Sequence, residues 1–449
     1  MKFCTHLAVL ALAPLTLIGC DDDNDNDIAP LLEEPSGYIR VLHASPDAPA
    51  VNIQVNGDTA LANVEYQTGS GFIELPTETY QIAVDALLPN DATATVLGPA
   101  ELPVDEDTEY SIIALGKVAD QTLAPLILSR AKTEFGAGNI RLQVLHASPD
   151  APAVDIYLTE TNADISMISP ALSNVPFMTN SDLIELAAGQ YQVRITPAND
   201  KTVVFDTGAL SLPAGTDLML VAVTNTRTGS SPINVLAWSD DSVGLIADIN
   251  AGSEVRVVHA SPDAPAVNVL LNDTIALADV PYPIASDYLP LAQGSYNVKV
   301  EPAAAPGTFV IHADVNFELN TAYTVLAINE LADIAPLVLV DERRRIATEA
   351  GLRLIHASPS AGSVDIYLGT DSDISDETPA FSNVAIGAET GRLILAAGSY
   401  TVTVTPTGSQ EAAIGPLQVT LEAGKLYTAI ARDEVGGGLP LGLITLDDF

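Results

Sequence analysis

The chain has 449 residues, enough for three or four ordinary domains and too many for a single core. Its 18 lysines and arginines against 58 aspartates and glutamates give a formal net charge of −40, which argues against nucleic-acid binding because such a chain repels phosphate. Hydrophobic residues make up 47% of the sequence, too many for a disordered acidic tail. The 30 glycines and 30 prolines favour short strands joined by tight turns.

Residues 1–19 have the pattern of a secretion signal. Lys2 supplies a positive charge, and Leu7 to Ile18 is an apolar run of 12 residues, too short to span a bilayer. The sequence Leu17-Ile18-Gly19-Cys20 resembles the lipobox of bacterial lipoproteins, in which the cysteine becomes the lipidated first residue. This resemblance implies a membrane anchor on Cys20. The alternative is an ordinary signal with an incidental cysteine.

Residues 20–35 are predicted to form an acidic tether, because the aspartate-rich run from Asp21 to Asp27 is followed by Pro30 and Pro35. The only other cysteine, Cys4, lies in the signal, so the mature chain has no disulfide. We expect a location in the bacterial cell envelope, on the periplasmic side or at the cell surface. Asp21 resembles an inner-membrane retention signal and acidic tracts resemble surface-export signals, so the choice of membrane stays open.

A nine-residue motif, His-Ala-Ser-Pro-Asp-Ala-Pro-Ala-Val, begins at His43, His146 and His259, and a degraded copy begins at His356. The spacings are 103, 113 and 97 residues, the size of an independent domain rather than of a solenoid repeat. We therefore expect four independent domains arranged like beads on a string.

Each copy continues with seven or eight short strands of alternating polarity, and none shows a helical period. Four of these strands open with a tyrosine, at Tyr80, Tyr191, Tyr296 and Tyr400. The pattern predicts an all-β chain of four tandem antiparallel β-sandwich domains, immunoglobulin-like or prealbumin-like. The predicted domains cover residues 36–133, 137–249, 251–345 and 350–449.

The repeated motif, followed by Val-Asp-Ile-Tyr-Leu and by Ala-Ala-Gly-x-Tyr-x-Val-x-Val, resembles the bacterial domain-of-unknown-function family 4397. The resemblance covers nearly all of the mature chain, and the fourth copy departs from it at Ser360, Gly362 and Ser363. It implies an extracytoplasmic β-sandwich, often in tandem, and no known enzymatic activity.

The repeated histidines fall at the end of the apolar, core-facing row of their strand. We therefore expect partly buried structural imidazoles, each hydrogen-bonded to the backbone of the turn. The following proline suits a type I turn, and the aspartate is expected to accept from amides one or two residues further on. A metal or small-ligand site and a catalytic site are the alternatives. The predicted structural turn residues are His43, Pro46, Asp47, His146, Pro149, Asp150, His259, Pro262, Asp263, His356 and Pro359.

No unique catalytic constellation stands out, so we expect no enzyme, with a hydrolase as the remote alternative. No cofactor is expected. Calcium is the best metal candidate because it prefers clustered carboxylates, and the densest acidic loop inside a domain contains Asp371, Asp373 and Asp376. A solvated acidic loop is the alternative. The overall acidity fits either a saline habitat or a generally acidic surface protein.

The expected function is that of a lipid-anchored envelope protein of structural or binding type, such as a stalk or an adhesin-like array. Its expected partners are the membrane, through Cys20, and an unknown protein or glycan. The alternative is a periplasmic or surface lipoprotein that binds a sugar, a protein or a ligand in a calcium-dependent way, and that uses one divergent domain, the fourth. Tyr157 and Tyr367 occupy the same strand position, and exposure of both would favour a repeated binding surface.

Overall fold

A computed structural model describes residues 34–449 of the protein. The predicted all-β fold class is confirmed: the described residues form 34 strands and two short 3₁₀ turns, Ile165–Met167 and Leu331–Asp333, with no α-helix. The predicted signal peptide, Cys20 and nearly all of the tether lie outside the described residues. No helix in the described range has the length and apolarity needed to cross a membrane. Residues Pro35–Phe449 form one compact unit.

Repeat 1 folds into two facing four-stranded sheets, β4-β1-β7-β8 and β3-β2-β5-β6. Its strands are β1 (Ser36–His43), β2 (Val51–Val55), β3 (Asp58–Val64), β4 (Ile73–Pro76), β5 (Thr79–Leu88), β6 (Ala92–Pro103), β7 (Thr108–Leu115) and β8 (Ala124–Ala131).

Repeat 2 has the same plan with two extra short strands, in the sheets β12-β9-β16-β17-β18 and β11-β10-β13-β14, with β15 also pairing with β13. Its strands are β9 (Asn139–His146), β10 (Val154–Thr159), β11 (Leu172–Val175), β12 (Ile184–Ala187), β13 (Gly189–Pro197), β14 (Phe205–Asp206), β15 (Leu210–Leu212), β16 (Asp217–Thr224), β17 (Ile233–Trp238) and β18 (Val243–Ile246).

Repeats 3 and 4 return to eight strands each. Repeat 3 contains β19 (Ser253–His259), β20 (Val267–Leu271), β21 (Thr274–Val280), β22 (Leu289–Leu291), β23 (Gly294–Pro302), β24 (Ile311–Phe317), β25 (Thr321–Ile328) and β26 (Ala335–Asp341). Repeat 4 contains β27 (Ala350–His356), β28 (Val364–Gly369), β29 (Phe381–Val384), β30 (Leu393–Leu395), β31 (Gly398–Pro406), β32 (Ile414–Leu421), β33 (Leu426–Arg432) and β34 (Gly442–Asp447).

One strand pair in each repeat is parallel: β1 with β7, β9 with β16, β19 with β25, and β27 with β33. The other pairs among the named strands are antiparallel, as predicted. The resulting order is not the immunoglobulin order, and of the two expected sandwich types it leaves the prealbumin-like one. Because parallel strands end at the same edge, the loops that follow the two paired strands lie side by side.

The recurring tyrosines hold the turns that precede their strands. Each hydroxyl donates to the carbonyl oxygen four residues upstream, which is the tyrosine corner known from β-sandwiches. The distances are 3.1 Å for Tyr80, 2.6 Å for Tyr191, 3.0 Å for Tyr296 and 2.9 Å for Tyr400.

The histidine-bearing strands are buried on both faces, because the repeats pack together in pairs. Leu42 of repeat 1 and Leu145 of repeat 2 belong to one shared apolar core, and Val258 of repeat 3 and Ile355 of repeat 4 belong to another. All four side chains are at most 2% exposed. The expectation of independent beads on a string is therefore wrong: repeats 1 and 2 share a core, and so do repeats 3 and 4.

Further contacts connect the two pairs. Arg344, between β26 and β27, donates from Nε to the Pro46 carbonyl at 3.0 Å, and its guanidinium lies 4.8 Å from the centre of the Tyr66 ring. The Thr228 backbone N–H of repeat 2 donates to the side-chain oxygen of Asn320 in repeat 3 at 3.2 Å. Repeat 1 therefore contacts the segment that leads into repeat 4, and repeat 2 contacts repeat 3.

Candidate functional site

Each of the four histidines ends the first strand of its repeat. It begins the corner, which is the segment that leads from this strand to the second strand in the facing sheet. Each side chain is at most 2% exposed. In each, Nε2 lies 2.6–3.1 Å from the carbonyl oxygen six residues ahead, which belongs to Pro49, Pro152, Pro265 or Gly362. Nδ1 accepts from the backbone N–H two residues ahead at 3.3–3.4 Å. The imidazole thus holds the corner together through hydrogen bonds to the backbone of the corner.

These contacts fix the protonation of the ring. A carbonyl partner requires a proton on Nε2, and an N–H partner requires a lone pair on Nδ1, so the satisfied form is the neutral imidazole. Burial lowers the pKa of His43 to about 4, with the positive charge of Arg344 acting in the same direction. Burial also lowers the pKa of the other three corner histidines. Neither ring nitrogen offers a lone pair to a metal, and the structural role stays a prediction.

The corner aspartates make contacts other than the expected ones. Instead of binding amides in their own turn, they reach across to a neighbouring loop. Asp47 accepts from the N–H groups of Val118 and Ala119 at 2.8 and 2.9 Å, and Asp263 accepts from Leu331 at 2.7 Å. The parallel strand pair explains this difference, because it places the loop after β7 or β25 beside the corner.

The second repeat uses its corner aspartate to contact repeat 1. Asp150 lies 3.0 Å from Nζ of Lys117, in the loop after β7. Pro46 also faces outward to another part of the chain, since its carbonyl binds Arg344. The predicted corner residues are therefore also contact points between repeats.

The calcium candidates do not form a cage. Within residues 34–449, no group of three or more histidine, cysteine, aspartate or glutamate side chains is placed to hold a metal ion. An Asp371 carboxylate oxygen accepts from the Asp373 N–H at 3.0 Å, and an Asp373 oxygen accepts from the Ser375 N–H at the same distance. These carboxylates cap their own loop.

Tyr157 and Tyr367 are 1% and 5% exposed. They lie on the second strands of their repeats, β10 and β28. In repeat 2, Nζ of Lys201 covers the tyrosine, at 4.6 Å from the centre of the Tyr157 ring. The two tyrosines therefore provide no exposed, repeated binding surface.

A cavity of about 740 Å³ lies where the four repeats meet. Glu65 and Tyr66 of repeat 1 line it together with Thr228 of repeat 2. Asn320 of repeat 3 and Arg392 of repeat 4 also line it, so every repeat contributes to the cavity wall. The segment between repeats 3 and 4 adds Arg343, Arg344 and Glu349. This size is within the range of small-molecule sites.

Three side chains of this junction cavity bear polar atoms without a hydrogen-bond partner in the protein. They are Nε and Nη2 of Arg392, Oε1 of Glu349 and Oγ1 of Thr228. Glu349 and Thr228 are 2% and 1% exposed, and Nη2 of Arg392 lies 3.8 Å from Oε1 of Glu349. Burial raises the pKa of Glu349 and lowers that of Arg392. Because an unmade hydrogen bond to a buried group is costly, these atoms favour a bound polar partner.

Sequence reasoning missed this cavity, although two signals point to it. Arg343–Arg345 is a run of three arginines in a chain with only 18 lysines and arginines in total. Arg392 stands where strand pairing places Phe72 in repeat 1 and Tyr288 in repeat 3, so a cation replaces an aromatic ring. Gly351 makes room for it, since a Cβ there would lie 2.6 Å from Nε of Arg392.

Comparison with solved structures gives distant likenesses. The Bacillus anthracis TIE protein is 13% identical, with 89% of this chain and 69% of that chain covered and a TM-score of 0.15. Family 41 carbohydrate-binding modules from streptococcal virulence factors, described in α-glucan recognition, are 11% identical, with 41% and 93% covered and a TM-score of 0.16. The multi-modular glycogen-degrading pneumococcal virulence factor SpuA is 10% identical, with 62% and 37% covered and a TM-score of 0.16. No curated protein matches the chain.

A family model, the domain of unknown function DUF4397, matches residues 37–157 and 253–367. The two matches begin at equivalent positions of repeats 1 and 3 and extend into the second strand of the repeat that follows, so they confirm the predicted tandem copies. Together they cover more than half of the chain. The protein is thus a member of the DUF4397 family.

Proposed function

We propose that the protein is a non-catalytic ligand-binding protein of the bacterial cell envelope, held to a membrane by a lipid on Cys20. The anchor and the location rest on the lipoprotein-like sequence that ends at Cys20. The binding role rests on one observation, the junction cavity with its buried, unpartnered Arg392, Glu349 and Thr228 atoms. Nucleic acid remains an unfavourable partner for a chain with a net charge of −40.

A binding role fits the arrangement of the repeats better than an extended stalk. Repeat 1 contacts Arg344, which precedes repeat 4, and the Ala347 N–H donates to the Asp47 carbonyl at 2.8 Å. These contacts bring the first repeat back to the segment before the last. In this proposal the four repeats together form the junction site.

The chemistry of the cavity selects a small polar ligand. Nη2 of Arg392 can donate to a ligand carboxylate, and the carboxylate of Glu349 and the hydroxyl of Thr228 can bind ligand hydroxyls. A sugar acid carries both kinds of group. We therefore propose a uronic acid, free or at the end of a glycan, as the ligand class.

Calorimetric titration of the soluble chain beginning after Cys20 with glucuronate and galacturonate tests the site, with glucose and galactose as neutral controls. Saturable binding of an acid is expected, and Arg392→Gln should weaken it at least about tenfold because a charged hydrogen bond is lost. Lys425→Gln is the charge-matched control, since Lys425 does not line the cavity and its side chain is 45% exposed. Absence of binding, or equal binding by Arg392→Gln, would reject the site. Product analysis after incubation should show the probes unchanged.

The anchor has a separate test. Cells that express the full chain should incorporate labelled fatty acid into the protein and retain it in the membrane fraction. Cys20→Ser should remove both the label and the retention. Retention of Cys20→Ser in the membrane fraction would show that the protein is held by something other than this lipid.

A further inference from the structure

The space between the two sheets differs among the repeats. Repeat 4 contains an internal cavity of about 260 Å³, whereas the corresponding cavities measure about 70 Å³ in repeat 1 and about 40 Å³ in repeat 3. Apolar side chains dominate its lining, among them Leu354, Ile366, Val404, Ile414 and Leu443. This cavity is distinct from the junction cavity.

Two paired positions carry smaller side chains in repeat 4 than in repeat 1. Strand pairing aligns Ala429 of β33 with Leu354, whereas Ile112 faces Val41 in repeat 1 and Val325 faces Val257 in repeat 3. Repeat 4 therefore has a methyl group where the other two have a branched side chain. The next strand deepens the space, because Thr445 pairs with Ala429 where Ile127 pairs with Ile112. An apolar space left by such a change stays dry and can take up apolar molecules.

The cavity has an apolar rim at the edge of the sandwich. Strand β32 is an edge strand of one sheet and β34 is an edge strand of the other, and both contribute to the lining. Leu417 on β32 is 40% exposed, and the terminal Phe449, which follows β34, is 46% exposed. Both side chains line the cavity while remaining accessible to solvent, so they mark an entry.

We propose that the interior of repeat 4 is a binding site for a small uncharged apolar molecule, such as a medium-length alkyl chain with a hydroxyl end. An apolar cavity of about 150 Å³ is enough for benzene, so about 260 Å³ takes roughly ten non-hydrogen atoms. Thr445, which also lines the cavity and pairs with the inward-facing Ala429, can bind the hydroxyl. No lysine or arginine lines it, and the chain's net charge of −40 disfavours a carboxylate end.

The probe is 1-nonanol, and the variants come from the other repeats. Ala429→Leu introduces the residue that repeat 2 has at Leu220, and Ala429→Val introduces that of repeat 3 at Val325. In the wild-type protein, 1-nonanol should bind saturably by calorimetry and raise the Tm by a few degrees, as a ligand of the folded state does. Ala429→Leu should raise the Tm without ligand and reduce the affinity for 1-nonanol at least about tenfold. Ala429→Val should fall between.

The experiment separates this site from the junction cavity. Arg392→Gln should leave 1-nonanol binding unchanged, and Ala429→Leu should leave uronic-acid binding unchanged. Octanoate should bind more weakly than 1-nonanol. If 1-nonanol does not bind the wild-type protein, or if it binds Ala429→Leu and Ala429→Val as tightly, the cavity is only a packing difference and the proposal fails.

Discussion

The carboxylate of Asp433 accepts two hydrogen bonds from Ser360, one from its backbone N–H at 3.3 Å and one from its hydroxyl at 2.5 Å. In repeats 1 and 3 the donor and the acceptor are exchanged. The corner carries the accepting carboxylate, Asp47 or Asp263, and the neighbouring loop supplies the N–H groups. Strand pairing places Asp433 at the position of Asn329 in repeat 3. Repeat 4 therefore keeps the connection between corner and loop with the carboxylate moved to the loop.

We expect Asp433→Asn to lower the free energy of unfolding by about 1–3 kcal/mol, because the Ser360 and Ser358 groups lose a buried charged acceptor. The double variant Ser360→Asp with Asp433→Asn reproduces repeat 3 and should recover most of the loss. Ser360→Asp alone should destabilise, since it places two carboxylates together. Urea unfolding of the four proteins measures the coupling. A double variant no more stable than Asp433→Asn would contradict this account.

The corner histidines predict a loss of stability in mild acid. The folded protein binds a proton on His43 less readily than the unfolded chain, because burial lowers its pKa from 6.5 to about 4. The neutral His43 makes its full contribution to the free energy of unfolding above pH 6.5. This contribution is lost as the pH falls toward 4. For His43 the loss reaches about 3 kcal/mol, and the other three corners add to it in the same direction.

Urea unfolding at pH 7.5, 6, 5 and 4 checks this slope. His43→Asn keeps a donor and an acceptor at the corner but does not titrate, so its unfolding free energy should fall less steeply between pH 6.5 and 4. His312→Asn is the control, because His312 lies on the exposed face of β24. The interpretation fails if His43→Asn and the wild-type protein show the same slope.

Much of the fold could be predicted from the sequence because it depends on patterns within short segments of the chain. Alternation of polarity gives the strands, and the spacing of the motif gives the four copies. The face of the strand that carries His43 predicts its burial, and the polar groups of the corner supply the partners that burial requires.

The contacts between repeats could not be predicted from a pattern that considers only the core-facing side of each strand. Leu42, Leu145, Val258 and Ile355 alternate with the core-facing residues, so they point away from their own sandwich. An apolar residue at that position in all four copies indicates a second buried face. The aspartate partners depend on which strands are parallel, and the cavities depend on packing between distant segments, so neither is local information.

A second recurring contact leads to a prediction about the second strand of repeats 3 and 4. Asp365 of β28 accepts from the Asn383 N–H at 2.7 Å and from the Gly408 N–H at 2.9 Å. In repeat 3 two side chains make the equivalent contacts. Asn268 accepts from Asp279 and donates to Glu301, whose second oxygen accepts from Gly307. Asp365 thus replaces a pair of side chains.

Asp365→Asn should lower the free energy of unfolding at pH 7 by about 1–2 kcal/mol, because the Gly408 N–H loses its acceptor. Thr405 pairs with Asp365 as Glu301 pairs with Asn268, so adding Thr405→Glu should restore stability. Thr405→Glu alone should destabilise by bringing two carboxylates together. Urea unfolding of all four proteins gives the coupling energy. Additive effects of the two changes would show that the pair does not act together.

The same substitution should change the response to strong acid. Hydrogen bonds from the Gly408 and Asn383 N–H groups lower the pKa of Asp365 below its ordinary value of 3.8. The folded protein therefore binds this proton more weakly than the unfolded chain, and the stabilisation is lost as the pH falls below 3.8. Asp365→Asn should show a smaller loss there than the wild-type protein, which acid titration followed by circular dichroism can measure.

The shared core of repeats 1 and 2 predicts that the pair, rather than the single repeat, is the unit that folds. Leu42, Ile113 and Leu115 are at most 2% exposed and lie against repeat 2, so repeat 1 alone would expose a continuous apolar patch. A protein of residues 34–249 should be monomeric and unfold cooperatively, whereas one of residues 34–133 should aggregate.

Sedimentation and thermal unfolding of these two proteins check the prediction, and one substitution in the full chain makes it specific. Leu42→Asp should destabilise by several kcal/mol, because it places a charge in the shared core. Val96→Asp introduces the same charge in repeat 1 at a side chain that is 38% exposed, and it should change stability much less. A monomeric, stable repeat 1, or equal effects of the two aspartates, would mean that the core between the repeats is dispensable, and the four copies would then fold one by one.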